Sequence, residues 1–418
     1  MNKPGSAWRA LKNRNFALFF AGQGLSLCGT WMQSLAQSWL IYRLTGSPLL
    51  LGLVGFISQA PVLAFGLLGG VFADRWPRYR LLLITQALSL LQAGILAGVT
   101  LTGHITVTWI MVLAGFLGLI NALDIPVRQS FIADLVPRAD LSSAIGLNSS
   151  AFNAARIVGP SVAGLLVATL GEGVCFLINA LSFLAVIGCL LAIQLPQNTK
   201  AAHHHAIIFL GEGLRYARDT PHVRAALLLI ALLSLAAMPY TILLPVFAAE
   251  VLHTEAHGLG VLMAATGLGA LAGALRIAQR GTIRGLGRLI AQATLLFGVS
   301  LLVLSRTTAL WLSMPVFFAV GYGMITAMAG CNTLLQSLVP DGLRGRVMSL
   351  YTFCFLGMAP IGSLIAGALA ARVGTPITIA AGGFGAILGA AFFWRALPAI
   401  RRHVQEQGLL PPEELVLH

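Results

Sequence analysis

Residues 49–80 read LLLGLVGFISQAPVLAFGLLGGVFADRWPRYR. From Leu49 to Ala73 no side chain carries a charge, and then Asp74, Arg75, Arg78 and Arg80 arrive almost together. An uncharged run longer than the ~20 residues that carry a helix across a hydrocarbon core reads as a membrane span. A basic cluster at its end reads as a loop on the cytoplasmic side. The rest of the 418-residue chain repeats this rhythm.

Composition agrees. Only 9% of residues are charged and 57% are apolar, against roughly 25% and about 45–50% in soluble domains, and the mean hydropathy is +0.87. So few charges cannot cover a soluble surface of this size, and so apolar a chain is not disordered. The net charge of +13 does not point to nucleic acid, because the basic residues fall in short clusters between apolar runs rather than in one patch. Cys28, Cys175, Cys189, Cys331 and Cys354 all lie inside apolar runs with no metal-ligand spacing, and read as small apolar residues. The N-terminal apolar run is too long for the core of a cleaved leader and is expected to stay as the first span.

Apolar runs between charge clusters and Gly/Pro turns predict twelve helices over 16–42, 49–73, 81–102, 107–133, 143–168, 173–195, 224–249, 258–279, 289–305, 310–337, 347–371 and 374–395. Backbone polar groups must be satisfied within the bilayer, so runs of this length are helices. With the N-terminus inside, the outer loops hold Arg43, Arg306 and Arg372, while Arg128, Arg156 and Arg276 fall in spans or at their ends. The remaining Lys and Arg lie in the tails and inner loops. This asymmetry places both termini in the cytoplasm, which requires an even number of spans.

The expected organisation is an N-terminal six-helix bundle (1–195), a cytoplasmic linker (196–223), a C-terminal six-helix bundle (224–396) and a cytoplasmic tail (397–418). Within the linker, Ala206–Arg218 has the pattern of a short amphipathic helix lying on the membrane. His203-His204-His205 has no fixed geometry there, so no metal and no cofactor is expected. A shift of 203 residues superimposes Leu135-Val136-Pro137 on Leu338-Val339-Pro340. The same shift carries Gly159, Gly164 and Gly171 onto Gly362, Gly367 and Gly374, and Gly55, Gly66 and Gly70 onto Gly258, Gly269 and Gly273. A repeat of six spans keeps its orientation, so the halves are parallel repeats, an arrangement for which the major facilitator halves are the standing example.

The loop Gly70-Val71-Phe72-Ala73-Asp74-Arg75-Trp76-Pro77-Arg78-Tyr79-Arg80 resembles the inner-loop signature of the major facilitator superfamily, with Pro77 where a Gly is usual. The resemblance implies an inner-gate role for Gly70, Asp74, Arg75 and Arg78; the matching loop of the second half, Arg276 to Arg288, lacks the Asp. Gly146, Ala155, Gly159-Pro160 and Ala163-Gly164 resemble the antiporter signature of that superfamily, with Ala155 and Ala163 replacing glycines. Pro126-Val127-Arg128-Gln129, Leu147-Asn148 and Asn153 to Pro160 are similar to the branch that holds the enterobactin exporter and the macrolide efflux proteins. That implies an all-α, twelve-helix, alternating-access exporter in a bacterial inner membrane. No GxxxxGK[ST] run occurs to cradle ATP, and no nucleophile or paired-carboxylate set points to an enzyme.

Span one carries Gln23, Ser26, Thr30, Gln33, Ser34, Gln37 and Ser38, mostly on one helical face. Such a stripe avoids lipid and forms either a hydrogen-bonded seam between helices or the lining of a cavity. In the resembling fold spans one, four, seven and ten surround the pathway. On that basis the expected substrate residues are Gln23, Thr30, Gln33, Gln37, Asn121, Tyr240, Tyr322, Asn332 and Gln336. Asp124 is the one acid deep in a span, and a buried charge needs a partner; Arg128, four residues on, and Arg156 are the candidates.

The expected function is proton-coupled export of a small amphipathic molecule, anionic or neutral because Arg128 and Arg156 outweigh Asp124. The protein is expected to act as a monomer in the bilayer, with protons and one small-molecule substrate as its partners. A lipid or lysolipid flippase and an importer of the same fold are the alternatives within transporters. A non-transporting membrane scaffold or sensor is the alternative from another class.

Overall fold

The computed structural model describes residues 8–194, 210–280 and 282–406, with the side chains of 67–75, 210, 212, 341, 403 and 406 left out of that description. Every regular element among these residues is helical. Among the described residues, eleven helices are long and apolar enough to cross a membrane. Arg14–Thr45, at 32 residues, is also of spanning length, and its polar face sets it apart from those eleven.

In chain order the spans are Arg14–Thr45, Pro48–Arg75, Arg78–Leu101, Val107–Leu135, Leu141–Leu170 and Glu172–Leu191 in the first half. In the second half they are Pro221–Val251, Ala256–Ala278, Leu286–Leu304, Leu310–Leu338, Gly342–Val373 and Thr375–Glu406. They are numbered one to twelve below. The expected amphipathic segment is a helix over Leu210–Asp219. Its Gly213 lies against Arg346 near the start of span eleven, while Leu214 stays exposed. His203, His204 and His205 lie outside the described residues.

Local chemistry sets the helix ends. The Asn13 side chain accepts from the backbone N–H groups of Asn15 (3.0 Å) and Phe16 (3.4 Å), capping span one. Gly46, at φ 57°, closes it in the left-handed conformation that glycine adopts without strain. Gly171 and Gly374 make the turns from span five to six and from span eleven to twelve, at φ 83° and 88°. They stand 203 positions apart, so the repeat read from the sequence returns in the backbone.

The chain forms two compact units. Unit 1 comprises Met1–Gly46, Ile57–Ala206 and Glu255–Ala264; unit 2 comprises Ser47–Phe56, Ile207–Thr254 and Ala265–His418. Each unit is held by close glycine contacts, the expected device where helices pack in lipid. In unit 1 a Cβ on Gly164 would fall 2.9 Å from both the Ala256 carbonyl and the Gly260 Cα. In unit 2 a Cβ on Gly367 would fall 2.7 Å from the Pro48 carbonyl and 2.8 Å from the Gly52 Cα. Likewise Gly118 abuts the Ser58 carbonyl in unit 1 and Gly321 the Thr266 carbonyl in unit 2.

These pairs revise one detail of the repeat. Gly118/Gly321 and Gly164/Gly367 keep the 203 offset, but their partners Gly52/Gly260 and Ser58/Thr266 stand 208 apart. Span two has 28 residues and span eight 23, so a single ungapped offset cannot match both ends. The glycine match of Gly55 with Gly258 is therefore not a packing equivalence.

Unit 1 has an apolar core at its basic end, where Phe16, Phe19, Leu82, Val127, Phe131, Leu135 and Leu190 are buried together. Phe19 and Phe131 meet edge to face at 5.7 Å. Leucines such as Leu91, Leu165 and Leu181 are more than half exposed, as helices facing hydrocarbon require.

Candidate functional site

Asp124 is buried in span four. Its carboxylate Oδ2 pairs with the Arg128 guanidinium one turn along the same helix. Its Oδ1 accepts from Thr85 Oγ1 at 2.7 Å and Gln86 Nε2 at 2.9 Å, both on span three. Of the two arginines considered as partners, Arg128 makes the ion pair. Arg156 instead holds its guanidinium 5.9 Å from the centre of the Trp31 ring, whose edge meets Phe152; that distance suits a cation–π contact.

Span three supplies what sequence reasoning missed. Thr85, Gln86, Ser89 and Gln92 are all buried and follow one helical face, so the spacing itself was the signal. Gln92 accepts from Gln33 Nε2 (3.2 Å) and donates to the Leu113 carbonyl (3.2 Å). Asn179 of span six donates to Gln33 Oε1 (2.8 Å). Gln33 thus belongs to a seam that ties spans one, three and six together inside unit 1.

The other expected substrate residues of unit 1 are distributed along spans one and four. Gln23 is buried and Gln37 and Asn121 are half-buried. Thr30 is exposed, with its hydroxyl donating to the Ser26 carbonyl (2.8 Å). In unit 2, Tyr240 is buried against Phe297 and Phe317. Tyr322 and Asn332 are half-buried, and Gln336 is exposed and donates to Asn332 Oδ1.

The backbone of the loop signature continues span two through Gly70, Asp74 and Arg75, whose side chains lie outside the described residues. Arg78 is placed, and its Nη1 donates to both oxygens of Asp134 at the end of span four (2.9 and 3.0 Å). At the opposite end of unit 1, Arg43 grips Glu172 in a bidentate pair (2.7 and 3.0 Å), a geometry that fixes both groups. Most of the antiporter-like motif is closely packed. A Cβ on Gly159 would fall 2.7 Å from Trp31 Cβ, Pro160 is buried, and Gly164 meets span eight as described above. Gly146 faces open space.

A family model described as "Transmembrane secretion effector" matches residues 5–416. The chain belongs to this family of major facilitator transporters. It is a multi-pass membrane transporter and not an enzyme. It is 25% identical over 355 residues to the staphyloferrin A transporter of Staphylococcus aureus, covering 83% of this chain and 87% of that protein. It is 28% identical over 402 residues to the multidrug efflux pump Tap of Mycobacterium tuberculosis (91% and 88% covered). It is 23% identical to macrolide efflux protein A of Streptococcus pyogenes (86% and 90%). Among solved structures, a bacterial homologue of the human lysosomal transporter Spinster superimposes with a TM-score of 0.72 at 14% identity over 96% of this chain and 99% of that one. A POT family transporter in complex with 5-aminolevulinic acid gives 0.75 at 12% (93% and 97%). At these identities the structures show the fold alone.

Proposed function

We propose that this major facilitator protein exports a small amphipathic molecule, anionic or neutral and of the siderophore or drug class, in exchange for protons. It would act as a monomer in a bacterial plasma membrane with both termini in the cytoplasm. The observation that carries the reading is the Asp124 site: a carboxylate buried in a span, shared between Arg128 and the span-three donors Thr85 and Gln86. Antiport needs a group whose proton affinity changes between two states of the cycle. A carboxylate whose arginine partner can move away meets that need, because a nearby cation favours its ionised form and desolvation its neutral form. The names of its relatives, a siderophore transporter and two drug efflux proteins, support the substrate class. Arg156, backed by Trp31, supports a preference for anions over lipophilic cations.

Asp124→Asn in proteoliposomes tests the coupling. The amide keeps the shape and can still accept from Thr85, so the variant is expected to fold and to exchange substrate across a membrane without responding to a pH gradient. A well-folded Asp124→Asn protein that still moves substrate uphill at the wild-type rate would falsify the proton role.

A further inference from the structure

A cavity of about 150 Å³ opens at the basic end of unit 2, lined by Ile277, Arg280, Thr282, Ile283, Leu286, Thr333 and Ser337. Its walls come from the end of span eight, the turn that follows it, the start of span nine and the end of span ten. No expected substrate residue is among them. Asn332 and Gln336 immediately precede Thr333 and Ser337 and so stand on a neighbouring face of span ten.

Three features give the cavity its chemistry. Arg280 Nε is buried and has no hydrogen-bond partner, although the same guanidinium donates through Nη2 to the Arg284 carbonyl. That second contact is made possible by Gly285, at φ 68°, which turns the chain into span nine and brings the Arg284 carbonyl back over span eight. A guanidinium held by one N–H while another stays desolvated and unmet is preorganised for an acceptor that supplies more than one oxygen. Thr282, Thr333 and Ser337 add hydroxyls to the same walls. The N-terminus of span nine, a helix of 19 residues that begins at Leu286 in the cavity wall, favours negative charge there. Ile277, Ile283 and Leu286 complete the wall with apolar surface. At ~30 Å³ per water of liquid volume, the space exceeds a single water and suits a tetrahedral oxyanion. Arg276, Arg284 and Arg288 are exposed around it, so the approach carries positive charge as well.

We propose that this cavity binds a phosphate group at the membrane surface, either the headgroup of an anionic phospholipid or the free anion. The arginine and hydroxyls take the phosphate oxygens. A lipid's acyl chains would run down the apolar side of spans eight to ten, where Leu268 and Leu275 are half exposed. This site stands apart from the transport reading and survives if that reading fails.

Native mass spectrometry of the full-length protein in mild detergent tests it, with phosphatidylglycerol, phosphatidylcholine and inorganic phosphate as separate probes. Phosphatidylglycerol is expected to be retained in preference to phosphatidylcholine. Arg280→Gln is expected to cut that retention about fivefold, the worth of one basic residue at an anionic surface. Arg276→Gln makes the same change of charge outside the cavity and is expected to lower retention by less than Arg280→Gln does. The double variant Thr333→Val with Ser337→Ala keeps every charge and is expected to lower retention as well, which holds the test open should Arg280→Gln fold poorly. Displacement of the lipid by millimolar inorganic phosphate, or stabilisation by phosphate alone, identifies the free anion as a competent source. Equal loss in Arg280→Gln and Arg276→Gln would overturn the proposal, as would equal retention of the two lipids combined with no effect of inorganic phosphate.

Discussion

Spans one and seven occupy equivalent places in the two repeats and are built on opposite principles. Span one is a single uninterrupted α-helix of 32 residues. Its interior face is polar, with Gln23, Ser26 and Gln33 buried, and Gln33 is hydrogen-bonded to Gln92 and Asn179. Span seven changes its winding along its length: α over Pro221–Leu232, π over Leu233–Ala237, 3₁₀ over Met238–Leu243 and π again over Phe247–Val251. Pro239 and Pro245 lie in this stretch, and each removes a backbone donor. Its interior is aromatic, with Tyr240 against Phe297 and Phe317, and Phe247 against Phe317. Where side chains bond across helices, the backbone can stay regular. Where aromatic packing joins helices in lipid, the backbone can depart from the α form, as π segments do at functional positions in many helices.

The largest test of this contrast removes the aromatic centre of unit 2. Phe317 is fully buried and touches both Tyr240 and Phe247, so Phe317→Ala is expected to cost about 3 kcal/mol through the cavity it leaves. Thermal unfolding in detergent reads this directly, and a midpoint within a degree of wild type would deny that packing holds span seven. Next come the features that the halves share. Gly164→Val and Gly367→Val each push a side chain into a facing backbone, at about 1–3 kcal/mol. Their midpoints are expected to fall by similar amounts, and a large inequality would break the equivalence of the two contacts. The smallest effect belongs to the seam. Gln33→Leu removes the bonds to Gln92 and Asn179, worth roughly 1–2 kcal/mol together given the modest value of such bonds in membranes. The same variant in a transport assay sharpens its meaning, since wild-type affinity for substrate with lowered stability would assign Gln33 to structure alone.

Much of this architecture was legible in the sequence because lipid imposes simple rules. Span length and spacing were written in the apolar runs, and the six-span repeat in glycines such as Gly164 and Gly367, which sit where backbones touch. Asp124 declared itself as a charge where charges are costly, while its partner stayed open between Arg128 and Arg156 until the ion pair with Arg128 was seen. Thr85, Gln86, Gln92 and Asn179 did not declare themselves. Thr85, Gln86 and Gln92 share one helical face, but uncharged polar residues are common enough in spans that this signal passes for scatter until their partners on other helices are seen. The windings of span seven were equally hidden, because Pro239 and Pro245 mark where a helix departs from the α form but not which form it takes. The exact register of span two against span eight was lost to a gap that identical glycines concealed.

That gap has a consequence for any exchange of parts between the two halves. The contacts of Gly52 and Gly260 align the two helices at one end, and the helix ends at Arg75 and Ala278 align them at the other, five residues out of step. Five residues of α-helix add about 7.5 Å and, at about 100° each, leave the chain rotated by some 140° beyond a whole turn. Two repeats that differ in this way are not interchangeable parts. A chimera that grafted the second half of span eight onto the first half of span two would enter the following loop from the wrong side of the helix. The two halves share their glycine joints and differ in what lies beyond them, where the first carries the Asp74-Arg75 loop and the second, from Arg276 to Arg288, has no acid.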